Sequence, residues 1–123
     1  MKVFENKIVV LTGASSGIGY SLLNYFIKEG ARVYGSSRNE RELTTESKQK
    51  CNFELLDLAD ELNVERYVKT ILQKENRIDI LINNAGVAHN LALVEEINSE
   101  MLNSVVRDNL LPTFNMMKYI IPI

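Results

Sequence analysis

A continuous apolar run, Ile8-Val9-Val10-Leu11, breaks into Thr12-Gly13-Ala14-Ser15-Ser16-Gly17-Ile18-Gly19, and beyond it apolar residues recur at helical spacing as Leu22, Leu23, Phe26 and Ile27. The run has the length and β-branching of a strand buried on both faces, a situation found chiefly in parallel sheets covered by helices. A strand that turns into a helix across three glycines leaves few alternatives to a phosphate-cradling turn. Each glycine has its own physical role, in which Gly13 turns the chain, Gly17 lets the backbone approach a pyrophosphate, and Gly19 permits close packing of helix on strand. The helix N-terminus contributes unpaired N–H groups and the positive end of its dipole. Dinucleotide binding is the reading that this context supports, set against the plainer one of a turn with a structural purpose only.

The helix is expected to stop at Glu29-Gly30, where glycine supplies a left-handed cap. Arg32-Val33-Tyr34-Gly35-Ser36 predicts a second strand, Asn39 to about Lys48 a polar helix with a solvated charged face, and Asn52 to Asp57 a third strand. Asp60 is placed to cap a helix whose Val64, Tyr67, Val68, Ile71 and Leu72 share one face. Ile78 to Asn83 predicts a fourth strand, followed by a loop from Val87 to about Ile97. A long helix from about Asn98 to Ile121 then carries the stripe Leu102, Val105, Val106, Asn109, Leu110 and Thr113. Strands alternating with helices imply right-handed crossovers and a parallel sheet, hence the α/β class, in a single domain over residues 1–123.

Composition narrows the function classes. The 123 residues are 46% hydrophobic, enough for one core. A net charge of −2, with basic residues scattered among acids, gives no field to attract nucleic acid or an anionic membrane. The single cysteine, Cys51, has no partner for a disulfide or a metal pair and reads as a small core residue in a reducing compartment. His89 stands alone in its loop with no carboxylate or cysteine at ligand spacing, so no metal is expected and an exposed loop residue is the reading. Met101, Met116 and Met117 are expected to pack the last helix. No apolar run has the length of a membrane span, and Met1 to Lys7 lacks the apolar core of a signal peptide, so the expectation is a soluble cytoplasmic protein.

A second signature makes the resemblance specific. Thr12 to Gly19 resembles the T-G-x-x-x-G-x-G cofactor loop of the short-chain dehydrogenases/reductases, and Asn83-Asn84-Ala85-Gly86 resembles that family's N-N-A-G at the end of the fourth strand. Asp57, followed by Leu58, is similar to the family aspartate that contacts adenine, and Asp108-Asn109-Leu110 to the helix segment that carries an active-site asparagine. The resemblance covers essentially the whole chain but only the first half of a family member. It implies a Rossmann-like sheet in the order 3-2-1-4 with flanking helices, shortened relative to the family. It also implies a cofactor site built from Gly13, Ser15, Ser16, Gly17, Ile18, Gly19, Ser37, Arg38, Asp57, Leu58, Asn84, Ala85 and Gly86. The family reaction moves hydride between a nicotinamide and a carbonyl or alcohol.

Cofactor choice is read at the end of the second strand. An acidic residue there would accept hydrogen bonds from the ribose hydroxyls of NAD, whereas an arginine would pair with the 2′-phosphate of NADP. Ser36-Ser37-Arg38-Asn39 places Ser37 where NAD-preferring relatives carry Asp, which favours NADP and leaves NAD open. The plainer reading of Arg38 is a solvated side chain at a helix start.

Asn109 interrupts an apolar stripe, and a buried amide there needs hydrogen-bond partners. In the family the equivalent residue helps to hold a water that links the catalytic lysine to solvent. The other reading is an amide satisfying loose backbone groups at a kink made by Pro112, which has no N–H to give the Asp108 carbonyl. The family's proton-transfer pair, Tyr-x-x-x-Lys, is not found: the residues four places after the five tyrosines are Asn24, Glu29, Arg38, Ile71 and Ile123. The expectation is therefore a cofactor-binding half that binds its dinucleotide weakly or not at all and catalyses nothing alone, or else a non-catalytic, self-assembling nucleotide module. An unpaired fourth strand (residues 78–83) or an exposed apolar last helix (98–121) would drive self-association, unless that helix folds back over the open edge.

Overall fold

The computed structural model describes residues 1–123. Four parallel strands form one sheet in the order β3-β2-β1-β4, the order expected, with β1 at Ile8–Thr12, β2 at Arg32–Ser37, β3 at Asn52–Leu55 and β4 at Ile80–Ile82. Register runs Val10 opposite Tyr34 and Leu81, and Tyr34 opposite Asn52. All five residues of β1 are buried, because successive side chains serve opposite faces. Ile8 and Val10 join Tyr34, Val64, Tyr67 and Ile71 on one face, while Val9 and Leu11 join Leu23, Phe26 and Val33 on the other.

Helix α1 (Gly17–Lys28) covers the second face with Leu23 and Phe26, and Gly30 follows at φ 89°, the left-handed turn expected of its cap. Burying a side chain as completely as Leu23 is contributes about 1.5–3 kcal/mol. Helix α3 (Glu61–Glu75) covers the first face with Val64, Tyr67, Val68 and Ile71, and Asp60 caps it by accepting from the Leu62 N–H at 3.1 Å. At its other end Asn76 takes φ 62° and donates its N–H to the Leu72 carbonyl.

Helix α2 (Thr45–Lys50) is shorter and later than expected from Asn39. The preceding residues are held down on the glycine turn, where the Glu42 N–H donates to the Ser15 carbonyl at 2.8 Å and Asn39 Oδ1 lies 3.4 Å from Ser15 Oγ. Helix formation waits for Thr44, whose hydroxyl accepts from the Ser47 N–H.

The long C-terminal helix is divided. Helix α4 (Ser99–Val105) runs into a π-turn at Val106–Leu110 and then α5 (Leu111–Ile120), with Pro112 buried in the first turn of α5. The missing N–H of Pro112 accounts for the break in the α-ladder, as anticipated for a kink beside Asn109. The face that packs is not the expected stripe. Leu102 and Leu110 are 56% and 59% exposed, whereas Pro112, Asn115 and Met116 are buried against α3 and the sheet. The π-turn rotates the apolar face between α4 and α5, so one periodicity cannot run through both. Helix α5 lies against α3 on a face of the sheet, and β4 pairs with β1 alone. No helix is long and apolar enough to cross a membrane. Cys51 is half-buried at the margin of the α1-side core, and burial pushes its thiol pKa up.

Candidate functional site

The C-terminal ends of the four strands converge on one cleft, at the point where the chain order reverses between β1 and β4. A cavity of about 290 Å³ opens there, lined by the glycine turn, the end of β2, the segment after β3, the segment after β4 and the π-turn. Gly13, Ser15, Ser16, Ile18, Ser37, Arg38, Asp57, Leu58, Asn84, Ala85 and Gly86 all line it, drawn from four separate stretches of sequence. Gly17 and Gly19 do not line it; they lie in the first turn of α1, beside it.

Gly13 takes φ 64° and Gly17 φ 54°. A Cβ on Gly17 would meet nothing within 4 Å, so the backbone faces open space there. The N–H groups of Gly17, Ile18 and Gly19 have no backbone acceptor, as expected in the first turn of a helix. Ser16 is in extended backbone before the helix, and its side chain makes no cap, so the donors at this helix start are left for a ligand. Open backbone, free donors and a helix N-terminus suit a diphosphate. The role of Gly19 differs in detail from the expected one. Its Cβ would fall 1.9 Å from the Gly13 carbonyl oxygen and 2.5 Å from Asn84 Nδ2, so it makes room for the turn and for Asn84 rather than for a strand.

Thr12, which sequence reasoning passed over, joins the two motifs. It is 1% exposed, and its Oγ1 accepts from the Asn84 N–H at 3.0 Å and the Ala85 N–H at 2.9 Å. Asn84 Nδ2 donates to the Gly13 carbonyl at 3.1 Å. Three hydrogen bonds therefore join the glycine turn to the Asn83-to-Gly86 segment, and a hydroxyl at the end of a buried strand was the available signal. Gly86 is required for the same closeness, since a Cβ there would lie 2.9 Å from Asn109 Oδ1.

Asn109 sits in the π-turn. Its Oδ1 accepts from the Val87 N–H at 2.8 Å and its Nδ2 donates to the Val105 carbonyl at 3.1 Å. The amide nitrogen thus serves backbone at the kink, while the amide oxygen reaches across to the segment after β4. His89 is not isolated, as its loop position suggested: its Nε2 lies 3.4 Å from Asn109 Nδ2 and 3.8 Å from Asp108 Oδ2. The chain's return through the π-turn brings that carboxylate close, a contact invisible in local spacing. No three His, Cys, Asp or Glu side chains converge as metal ligands would.

Charges at the cleft are paired across it. Arg38 Nη1 meets Asp108 Oδ1 at 3.1 Å, and Arg107 Nη2 meets Asp57 Oδ2 at 2.5 Å, so two residues of the π-turn cross to the ends of β2 and β3. Burial pushes the Asp57 carboxyl pKa up, but the Arg107 guanidinium, the Ala59 N–H and the charge of Arg38 outweigh it and hold the group below the usual carboxylate range. Ser37 donates its hydroxyl to the Asn39 carbonyl and so shapes the loop after β2. Arg41, expected on a solvated helix, lies in that loop and lines the cavity. Asn115, also unanticipated, is 4% exposed and donates to the Leu58 carbonyl at 2.9 Å, fixing the strand-β3 side of the cleft to α5.

Comparison with known proteins agrees with this architecture. Residues 7–123 match the family model of the short chain dehydrogenases. The chain is 32% identical to the 3-oxoacyl-[acyl-carrier-protein] reductase FabG of Thermotoga maritima over 96% of its own length and 50% of that protein's. Among solved structures it is similar to a 3-ketoacyl-(acyl-carrier-protein) reductase from Brucella melitensis complexed with NADH (TM-score 0.87, 30% identity, covering 97% of this chain and 50% of that one). It is also similar to ElxO with NADP bound (TM-score 0.83, 32% identity, covering 93% and 48%). The chain spans about half the length of the curated relatives it matches. With residues 7–123 matched by that family's model and the sheet in the order β3-β2-β1-β4, the chain belongs to the short-chain dehydrogenases/reductases.

Proposed function

We propose that this chain supplies the nicotinamide dinucleotide site of an oxidoreductase that moves hydride between a carbonyl and an alcohol, with NADP preferred and NAD accepted. The observation that carries the reading is the single cavity shared by the glycine turn, Arg38, Asp57 and the Asn84-to-Gly86 segment. The turn from Gly13 to Gly19 would hold the pyrophosphate, with Gly13, Ser15, Ser16 and Ile18 lining the cavity and Gly17, Ile18 and Gly19 offering N–H groups at the helix start. Ser37 and Arg38 would face the adenosine ribose, Asp57 and Leu58 the adenine, and Asn84, Ala85 and Gly86 the nicotinamide-side ribose. The bound dinucleotide would supply or accept the hydride. What the chain's own residues do is position it: Thr12 locks the nicotinamide-side segment to the glycine turn, and Asn109 holds the Val87 backbone beside it.

None of the five tyrosines is followed by a lysine at the fourth position, so on this reading the 123 residues do not transfer the proton by themselves and turn nothing over alone. A cytoplasmic setting fits a chain whose one cysteine has no partner. A second reading, self-assembly, is favoured by the free edge of β4 and the exposure of Leu102, Leu110 and Phe114 on the last helices.

Calorimetric titration with NADPH and NADH, alongside light-scattering mass, tests both. Saturable binding that prefers NADPH, lost in Gly17→Ala and reduced in Arg38→Ala, is expected, with a mass above that of the monomer. A folded protein that binds neither nucleotide overturns the cofactor reading. Hydride transfer restored by a complementary chain carrying Tyr-x-x-x-Lys would separate the oxidoreductase reading from a non-catalytic module.

A further inference from the structure

The cavity is lined by Arg38, Arg41 and Arg107 against Asp57 and Asp108, three guanidiniums and two carboxylates. Their pairing is unequal. Arg107 holds Asp57 at 2.5 Å and reaches Asp108 at 3.5 Å, while Arg38 is drawn across the cleft to Asp108 at 3.1 Å. Arg41 lines the same cavity and makes no ion pair. Asp108 is only 18% exposed as a side chain and has His89 Nε2 at 3.8 Å as a further neighbour.

The geometry points to Asp108 and Arg41 as the residues that set the chain's preference for a 2′-phosphorylated adenosine, an inference that rests on the nucleotide reading above. Asp108 is a built-in anion on Arg38, and a 2′-phosphate must displace it. Arg41 is the second guanidinium that makes the exchange favourable. A phosphate monoester carries a charge of about −1.5 to −2 at neutral pH and offers three acceptor oxygens, so it outcompetes a single carboxylate for a planar guanidinium. The exchange does not strand Asp108, because Arg107 remains within reach of it. An unphosphorylated 2′-hydroxyl has no charge to offer and leaves the Arg38–Asp108 pair in place. Asp57 retains Arg107 in either case, so the adenine side of the cleft is common to both nucleotides.

Adenosine 2′,5′-bisphosphate and 5′-AMP differ only in the group at issue and serve as probes, titrated calorimetrically into the purified protein. Asp108→Asn is expected to tighten the bisphosphate about threefold, the worth of a partly exposed ion pair, with 5′-AMP unchanged. Arg41→Gln is expected to weaken the bisphosphate about fivefold, again with 5′-AMP unchanged, and Arg41→Lys to recover part of the loss. Thermal unfolding of each variant confirms that the fold is intact. Weaker bisphosphate binding by Asp108→Asn, an equal change for both probes, or an unaltered ratio in Arg41→Gln overturns the inference while leaving the nucleotide site standing. Absence of binding for both probes in every variant overturns the site itself.

Discussion

Replacing Thr12 by Val keeps the shape of the side chain and removes one oxygen. That oxygen accepts two backbone N–H groups, from Asn84 and Ala85, and the residue is 1% exposed. Leaving a buried donor without a partner costs about 1–3 kcal/mol, so two orphaned donors cost about 2–6 kcal/mol if fully buried. Asn84 and Ala85 are half-buried, and water can relieve part of that penalty, which puts the expectation at about 2–3 kcal/mol. With a urea dependence of about 1–3 kcal/mol/M for a domain of this size, the unfolding midpoint should fall by about 1 M or more. Equilibrium urea unfolding followed by circular dichroism measures this directly. Thr12→Ser retains the acceptor and should recover most of the stability, losing only about the value of one buried methyl, ~1 kcal/mol. Nucleotide affinity should fall with the valine variant as well, because the Asn84-to-Gly86 segment is no longer fastened to the glycine turn. If Thr12→Val unfolds within about 0.5 kcal/mol of the wild type, the two hydrogen bonds do not hold the motifs together.

Asn109→Leu removes the acceptor of the Val87 N–H and the donor to the Val105 carbonyl, and should cost about 1–3 kcal/mol in thermal or urea unfolding, with increased hydrogen exchange at Val87. Gly86→Ala puts a Cβ 2.9 Å from Asn109 Oδ1 and should weaken the same hydrogen bond, so combining it with Asn109→Leu should cost less than the sum of the two single changes. Asp79 gives a pH signature: hydrogen bonding from the Ile8 N–H outweighs desolvation and, with the Arg77 guanidinium and Lys7, holds its carboxyl below the usual range. A depressed folded-state pKa stabilises above the unfolded value and loses that contribution as pH falls through the folded one. The stability gap between wild type and Asp79→Asn should therefore be full at neutral pH and close in acid, and a gap that widens on acidification would contradict the assignment.

Much of the fold can be read from local sequence because its elements are bounded by strong local chemistry. The β-branched run at Ile8 to Leu11, the glycine after α1 and the aspartate that caps α3 each act within a few residues, and each appears where it was expected. Sheet order follows from the resemblance, and the glycine turn and Asn83-to-Gly86 meet because they follow neighbouring parallel strands, β1 and β4. Where the reading missed, contacts between distant segments outweighed local preference. The residues after Arg38 look helical but are tied to the Ser15 backbone, so the helix starts late and Arg41 is left beside the cleft.

The last helix shows the division most clearly. Its sequence names Asn109 as an oddity and Pro112 as a kink, because an amide in an apolar stripe and a residue without an N–H are recognisable one at a time. Only the tertiary structure decided which face would be buried, since the π-turn changes the helical phase between α4 and α5 and puts Met116 and Asn115, rather than Leu102 and Leu110, against the core. The same turn carries Arg107 and Asp108 to carboxylate and guanidinium partners on strand ends far away in the chain. Strands, caps and the glycine turn were set by the sequence through interactions of short range. The charge pattern of the cleft arises only when residues fifty or seventy positions apart are brought within hydrogen-bonding distance.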